Sequence, residues 1–250
     1  MHSACRKGWG GFLGRPKFDN KVTFPSEVAV DLEPIIRFKN IDIGYNKPLV
    51  KNITTDIYPG DRIAIIGSSG IGKTTLLRTI AGLIAPLSGV IENVSTGRGE
   101  IGYIPQKLGL VRHSSAMSNI MLGARTRRSK LYPPFLGIGE DLRKEAETLI
   151  IKLGLREVLD EPVRILSGGQ QRRVAIARSL IQKPKLILAD EFLGELDVEN
   201  VESIIDILEK QLTQIGTTLV MVEHQEEIAR SIANRIWRIA DNKLVEEEIK

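Results

Sequence analysis

The sequence predicts a mixed α/β fold built on a parallel sheet, and three observations carry that reading. Arg62-Ile63-Ala64-Ile65-Ile66 is an apolar run of strand length that enters a glycine-rich turn. A helix-forming stretch follows from Lys73 to Ala81 and is closed by Gly82. Strand, loop and helix in that order make the βα unit of a parallel sheet. Two later apolar runs, Lys185–Ala189 and Thr217–Val222, flank a stretch in which Val201, Ile204, Ile205, Leu208 and Leu212 repeat at helical spacing.

The remaining elements follow along the chain. Residues 1–34 carry Gly8, Gly10, Gly11, Gly14, Pro16, Pro25 and Pro34 without sustained periodicity, and read as a flexible extension outside the core. From Ile35 the pattern becomes short apolar alternation, Ile35–Ile43 and Ile53–Tyr58, with turn signals at Asn46–Pro48 and at Pro59-Gly60-Asp61. These are antiparallel strands of an N-terminal β subdomain. Gly89–Val94 and Ile101–Ile104 read as two more strands. The span 107–165 then turns helical: Leu142, Ala146, Leu149, Ile150 and Leu153 share one face, and Gly154 ends that helix. Arg235–Ala240 and Lys243–Ile249 form a closing hairpin through Asp241-Asn242.

Composition narrows the function. With 250 residues and 42% apolar content the chain can bury a substantial core. Its single cysteine, Cys5, rules out an internal disulfide and a cysteine-rich zinc site, which fits a reducing cytoplasmic setting. No apolar run reaches the ~20 residues of a spanning helix; Arg62 and Lys73 bound the best one. The net charge of +4 is too mild to announce nucleic-acid binding. The charge is uneven, however. Between Glu100 and Glu140 there is no acid, while Lys107, Arg112, Arg125, Arg127, Arg128 and Lys130 all fall there. That segment is either a solvated basic face or a surface for anionic lipid or an acidic partner.

Three motifs carry chemistry. Gly67-Ser68-Ser69-Gly70-Ile71-Gly72-Lys73-Thr74, followed by Thr75, stands between a buried strand and a helix, the context a phosphate-binding loop requires. Its glycines let successive N–H groups face phosphate oxygens at a positive helix N-terminus. Lys73 would reach the β and γ phosphates and the Thr74 hydroxyl would ligate Mg²⁺. Leu186-Ile187-Leu188-Ala189-Asp190-Glu191 delivers two carboxylates at the C-terminal end of a strand, where parallel sheets place ligands. Asp190 would hold Mg²⁺, and Glu191 would accept a proton from the attacking water. Leu166-Ser167-Gly168-Gly169-Gln170 opens a second glycine-preceded helix, with Ser167 and Gln170 at capping-box spacing. One bound nucleotide would need only one such anion site.

The chain resembles the nucleotide-binding subunits of ABC transporters, whose LSGGQ signature stands unchanged at Leu166–Gln170, and the resemblance covers about residues 35–250. It implies a P-loop NTPase core with a mixed sheet, formed by 35–106 and 166–250, and an α-helical subdomain at 107–165. It also implies that the signature of one subunit completes the ATP site of the other, with Ser167, Gly168, Gly169 and Gln170 on the opposite nucleotide. Tyr45 matches the aromatic that stacks on adenine, although a strand tyrosine can equally be core. Gln106 matches the glutamine that contacts Mg²⁺ and the attacking water, His224 the histidine at the γ phosphate, and Asp197 the aspartate that crosses the dimer interface. Four positions depart from the pattern: Phe192 replaces the usual proline, Gly194-Glu195 replaces Ser-Ala, and Glu223 stands where Ser or Thr is common. The last is expected to add a carboxylate near the active-site rim.

The implied protein is a Mg²⁺-dependent ATPase at the cytoplasmic membrane face, paired with itself or a homologue and docked on transmembrane permease subunits. A solute-binding protein is a further candidate partner, and nucleic acid is not an expected one. The runs Leu108–Arg112, Asn119–Gly123 and Phe135-Leu136-Gly137 are loosely similar to the ATPases of phosphonate and phosphate-ester importers. The alternative is a soluble ABC-type ATPase acting on nucleic acid or ribosomes through the basic segment.

Overall fold

The computed structural model describes residues 33–93, 97, 99–127, 139–194 and 198–249. The extension through residue 32, with Arg128, Lys130, Phe135-Leu136-Gly137, Glu195 and Asp197, lies outside the described residues. Residues Glu33–Lys250 form one compact unit.

Two sheets organise it. The smaller holds β1 (Ile36–Gly44) between β2 (Pro48–Ile57) and β4 (Ser88–Asn93), both antiparallel to it. β2 starts at Pro48, five residues before the alternation that announces it. Asn52 sits in the left-handed region at φ 54°, and its N–H donates to the Asp42 carboxylate at 2.8 Å. Such a bulge breaks the period-two pattern without ending the strand.

The larger sheet has the order β5 (Ile101–Ile104), β6 (Leu186–Asp190), β7 (Thr218–Val222), β3 (Arg62–Ile66), β8 (Arg235–Ala240) and β9 (Lys243–Glu248). The first five are parallel and β9 is antiparallel. Asp241 and Asn242, at φ 48° and 58°, join β8 to β9 in the doubly left-handed turn that matches strand twist. Both faces of the sheet are buried, which is why its strands read as continuous apolar runs. Ile63, Ile65, Leu188, Val220 and Trp237 face the small sheet and α1 (Lys73–Ile80); Ala64, Ile66, Ile187, Ala189 and Met221 face the opposite layer.

That opposite layer holds α2 (Ala116–Ala124), α3 (Glu140–Lys152), α4 (Gly168–Leu180) and residues of α5 (Val198–Ile215) and α6 (Glu226–Ile232). The helices of the 107–165 span therefore share an apolar core with the sheet rather than closing one of their own. α2 is hard to see in the sequence, because Ser118, Asn119 and Gly123 interrupt its apolar stripe. Each has a structural use. Ser115 caps the helix by accepting from the Ser118 N–H. Buried Asn119 accepts from the Val111 N–H at 2.8 Å and donates to the Val111 and Ser115 carbonyls, pinning the loop that leaves β5. Gly123 allows α2 to lie on α4, since a Cβ there would stand 2.0 Å from the Arg178 carbonyl oxygen.

Candidate functional site

Four neighbouring strands of the large sheet end on one edge, and each delivers a predicted residue there. β3 runs into the phosphate loop, β5 leads to Gln106, β6 ends in Asp190 with Glu191 next, and β7 leads to His224. Because β6 pairs Asp190 with Val222, and β3 pairs Ile65 with Val222, the three strand ends lie level. Ligands of parallel sheets bind at this carboxyl edge.

The loop is shaped by its glycines. Gly67, Gly70 and Gly72 have φ of 151°, 76° and 114°, conformations other residues rarely adopt, and a Cβ on Gly67 would stand 2.7 Å from the Ile239 carbonyl. The Lys73 ammonium folds back to donate to the Gly67 and Ser68 carbonyls, each at 2.8 Å. Burial lowers its pKa, while the Glu191 and Asp190 carboxylates draw it back up.

Thr74 Oγ1 donates to Asp190 Oδ1 at 3.2 Å, joining the two predicted metal ligands. Asp190 is buried, and its Oδ2 has no hydrogen-bond partner among the described residues. Burial raises its pKa and the Thr74 hydroxyl opposes that shift. A carboxylate oxygen left orphaned beside a hydroxyl, at the mouth of a phosphate loop, fits a hard cation such as Mg²⁺, which completes its shell with water and phosphate oxygens.

Glu191 is held between the other two predicted residues. Its Oε2 accepts from Gln106 Nε2 at 2.8 Å and its Oε1 lies 2.5 Å from His224 Nε2. Its backbone is left-handed, φ 53°, a conformation that costs a non-glycine residue roughly 1–2 kcal/mol. Two backbone contacts hold it: the Glu191 N–H donates to the Val222 carbonyl at 3.0 Å, and Arg172 of α4 donates to the Glu191 carbonyl.

These groups line a cleft of about 320 Å³ formed by Tyr45, Leu49, Ser69, Gly70, Lys73, Thr74, Gln106, Glu191 and His224, among others. Tyr45 is 57% exposed at its rim, so it is no core residue; its hydroxyl meets Arg78 at 3.4 Å. Leu49, on β2, went unremarked in the sequence because a half-buried strand leucine looks like any other. The signature residues Ser167–Gln170 do not line this cleft. Ser167 instead closes a full capping box with Gln170 at the start of α4. Of the two glycines behind it, Gly168 is exposed and Gly169 half-buried.

Glu223 corrects an expectation. It is 5% exposed and does not line the cleft, and burial pushes its carboxyl up to about 7. Phe192 is fully buried, so the departure from proline fills the core. In the basic segment, Arg127 bridges to Glu145 at 2.8 Å, a partner on α3 that residue spacing alone does not reveal.

Comparison with known proteins agrees with this geometry. The family model described as ABC transporter matches residues 50–194. The chain is 34% identical over 224 residues to the hypophosphite import ATP-binding protein HtxD of Stutzerimonas stutzeri, covering 84% of this chain and 65% of that protein. Thus it spans slightly less than two thirds of that relative. It is also 34% identical over 224 residues to the phosphonates import ATP-binding protein PhnC of Rhizobium meliloti (strain 1021), covering 84% and 80%. A dimeric ATP-binding cassette in a post-hydrolysis state, bound to ADP and Pi, superposes with a TM-score of 0.76 at 30% identity, covering 86% of this chain and 99% of that one.

Proposed function

Since this chain belongs to the ABC transporter family, we propose that it is the ATP-binding and ATP-hydrolysing subunit of an importer, energising solute movement through separate permease subunits at the cytoplasmic membrane face. The observation that carries the reading is the division of anion sites: the cleft gathers Lys73, Thr74, Glu191, Gln106 and His224, with Asp190 joined to it through Thr74, while Ser167–Gln170 do not line it. A second copy, related by a two-fold axis, supplies the missing wall.

In this reading the backbone N–H groups of Gly67–Thr75 and the Lys73 ammonium bind the triphosphate, exchanging loop carbonyls for phosphate oxygens. Tyr45 stacks on the base. Thr74 and Asp190 hold Mg²⁺ with Gln106 nearby; the ion, when bound, offsets charge on the β and γ phosphates. Glu191 takes a proton from the attacking water, and His224 steadies the γ phosphate. Ser167 and Gly169 of the second copy close over that phosphate, and Asp197 contributes at the interface. ATP binding closes the dimer, and hydrolysis reopens it. The segment after Gln106, through about Ile120, docks on the permease. Among the described residues no helix is long and apolar enough to cross a membrane. The named cargoes of the two relatives support a small phosphorus oxyanion as the solute.

The Glu191→Gln variant tests this. Its ATPase rate should fall on the order of 10² to 10⁴ fold if Glu191 is the base. Saturated with Mg²⁺ and ATP it should accumulate as a dimer by light scattering. A variant that stays monomeric, or hydrolyses at the unaltered rate, removes the proposal. Affinity purification from membranes should bring down a polytopic protein.

A further inference from the structure

Against the turn that carries Glu191 lie two buried ionisable side chains that the mechanism above does not use. Arg172 is 6% exposed and projects from the first half of α4, the helix that begins at the signature. It donates to the Glu191 carbonyl. Glu223 follows β7 and is 5% exposed. Its carboxyl accepts from the Leu193 N–H and feels the field of Arg172, yet its Oε1 has no hydrogen-bond partner among the described residues. Burying a carboxyl with one oxygen unsatisfied is costly, so the position demands a use.

The turn between them supplies one. Glu191 is left-handed, Phe192 is driven into the core, and the Gly194 N–H returns weakly to the Glu191 carbonyl at 3.4 Å. That 3.4 Å bond alone is a poor fastening for a side chain that must hold a reacting water. Arg172 grips the turn at the Glu191 carbonyl and Glu223 grips it at the Leu193 N–H, two residues on. The Val222 carbonyl, next to Glu223 in the chain, takes the Glu191 N–H. We infer that Arg172 and Glu223 are a pair of positioning residues that clamp the Glu191–Gly194 turn from two elements, α4 and the end of β7, and so aim the Glu191 carboxylate. This rests on the ATPase reading of the cleft.

The clamp gives distinct expectations for four variants. Arg172→Met removes the donor, and Glu223→Leu removes the acceptor. Arg172→Lys keeps a charged donor, and Glu223→Gln keeps an acceptor. The first two should lower kcat, on the order of 10²-fold for a displaced catalytic group, while KM for ATP stays near that of the unsubstituted protein because the phosphate loop is untouched. The conservative pair should recover most of that loss. Combining Arg172→Met with Glu223→Leu should cost little more than either alone, since both release one turn.

Amide hydrogen exchange gives a readout that needs no hydrolysis: peptides covering 190–194 should exchange faster in Arg172→Met and Glu223→Leu, with those of the phosphate loop unchanged. Unchanged exchange at the turn overturns the clamp. So does a kcat that is unaffected while Glu191→Gln abolishes turnover. If the unsubstituted protein shows no Glu191-dependent hydrolysis, the ATPase reading fails on its own, and the exchange result still decides whether the turn is clamped.

Discussion

Glu223 shows how burial changes the meaning of a residue type. A carboxyl that titrates at about 7 when folded, against an ordinary 4.5, binds its proton more tightly in the folded chain. Folding therefore takes up a proton between those values, and stability declines as pH rises through 7. The whole effect is fully avoided below about pH 4.5 and complete above the folded pKa, where it amounts to on the order of 3 kcal/mol. Glu223→Gln should remove this slope, so the variant gains on the unsubstituted protein between about pH 4.5 and 7. Urea midpoints across that range measure it; parallel curves for the two proteins would contradict the burial argument. The sequence shows Glu223 as a departure from a family pattern but carries no sign of its depth, because burial is set by neighbours such as Leu193 and Arg172, some thirty and fifty residues away in the chain. By contrast, Lys73, Thr74 and Asp190 are legible from spacing alone, since a phosphate loop and a strand-end carboxylate are local features.

Among the elements, legibility follows how far the deciding contact lies along the chain. Strands β3, β6 and β7 announce themselves as apolar runs because the sheet is covered on both faces. α2 does not, since its polar and glycine positions answer to partners elsewhere: Asn119 to Val111, and Gly123 to Arg178 on α4. Gly123→Ala offers a direct trial of this packing. An alanine gains up to ~1 kcal/mol of helix propensity, yet its methyl would stand 2.0 Å from backbone that cannot swing aside. Overpacking should win, lowering stability by about 1–3 kcal/mol. The urea midpoint should fall with the slope unchanged. A midpoint that holds or rises would mean that α2 and α4 separate without cost. The same distance rule explains the late reading of β2, whose bulge at Asn52 is fixed by Asp42 ten residues away.

The two anion sites of one chain make sense only when two chains are considered together. The signature's glycines and capped helix start are sound local structure, as Ser167 and Gln170 demonstrate, so neither folding nor a single bound nucleotide explains why they are there. Sharing across a two-fold axis does, and it has a consequence that no self-contained site shares. In the proposed homodimer Lys73→Ala would remove the loop half of both pockets, and Gly169→Asp would remove the signature half of both by placing a carboxylate against the partner's γ phosphate. Each variant alone should be inactive. In a mixed dimer the two lesions fall on the same pocket, leaving the other with an intact loop from the Gly169→Asp chain and an intact signature from the Lys73→Ala chain. Mixing the two inactive proteins should therefore restore Mg²⁺-dependent ATP hydrolysis, and the restored rate should vanish when the Gly169→Asp chain also carries Glu191→Gln, because only that chain's base serves the surviving pocket. Placing Glu191→Gln on the Lys73→Ala chain instead should leave the restored rate standing. No restoration on mixing, loss in both arrangements, or a Gly169→Asp protein that is active by itself would mean that the pocket is not shared between chains in this way.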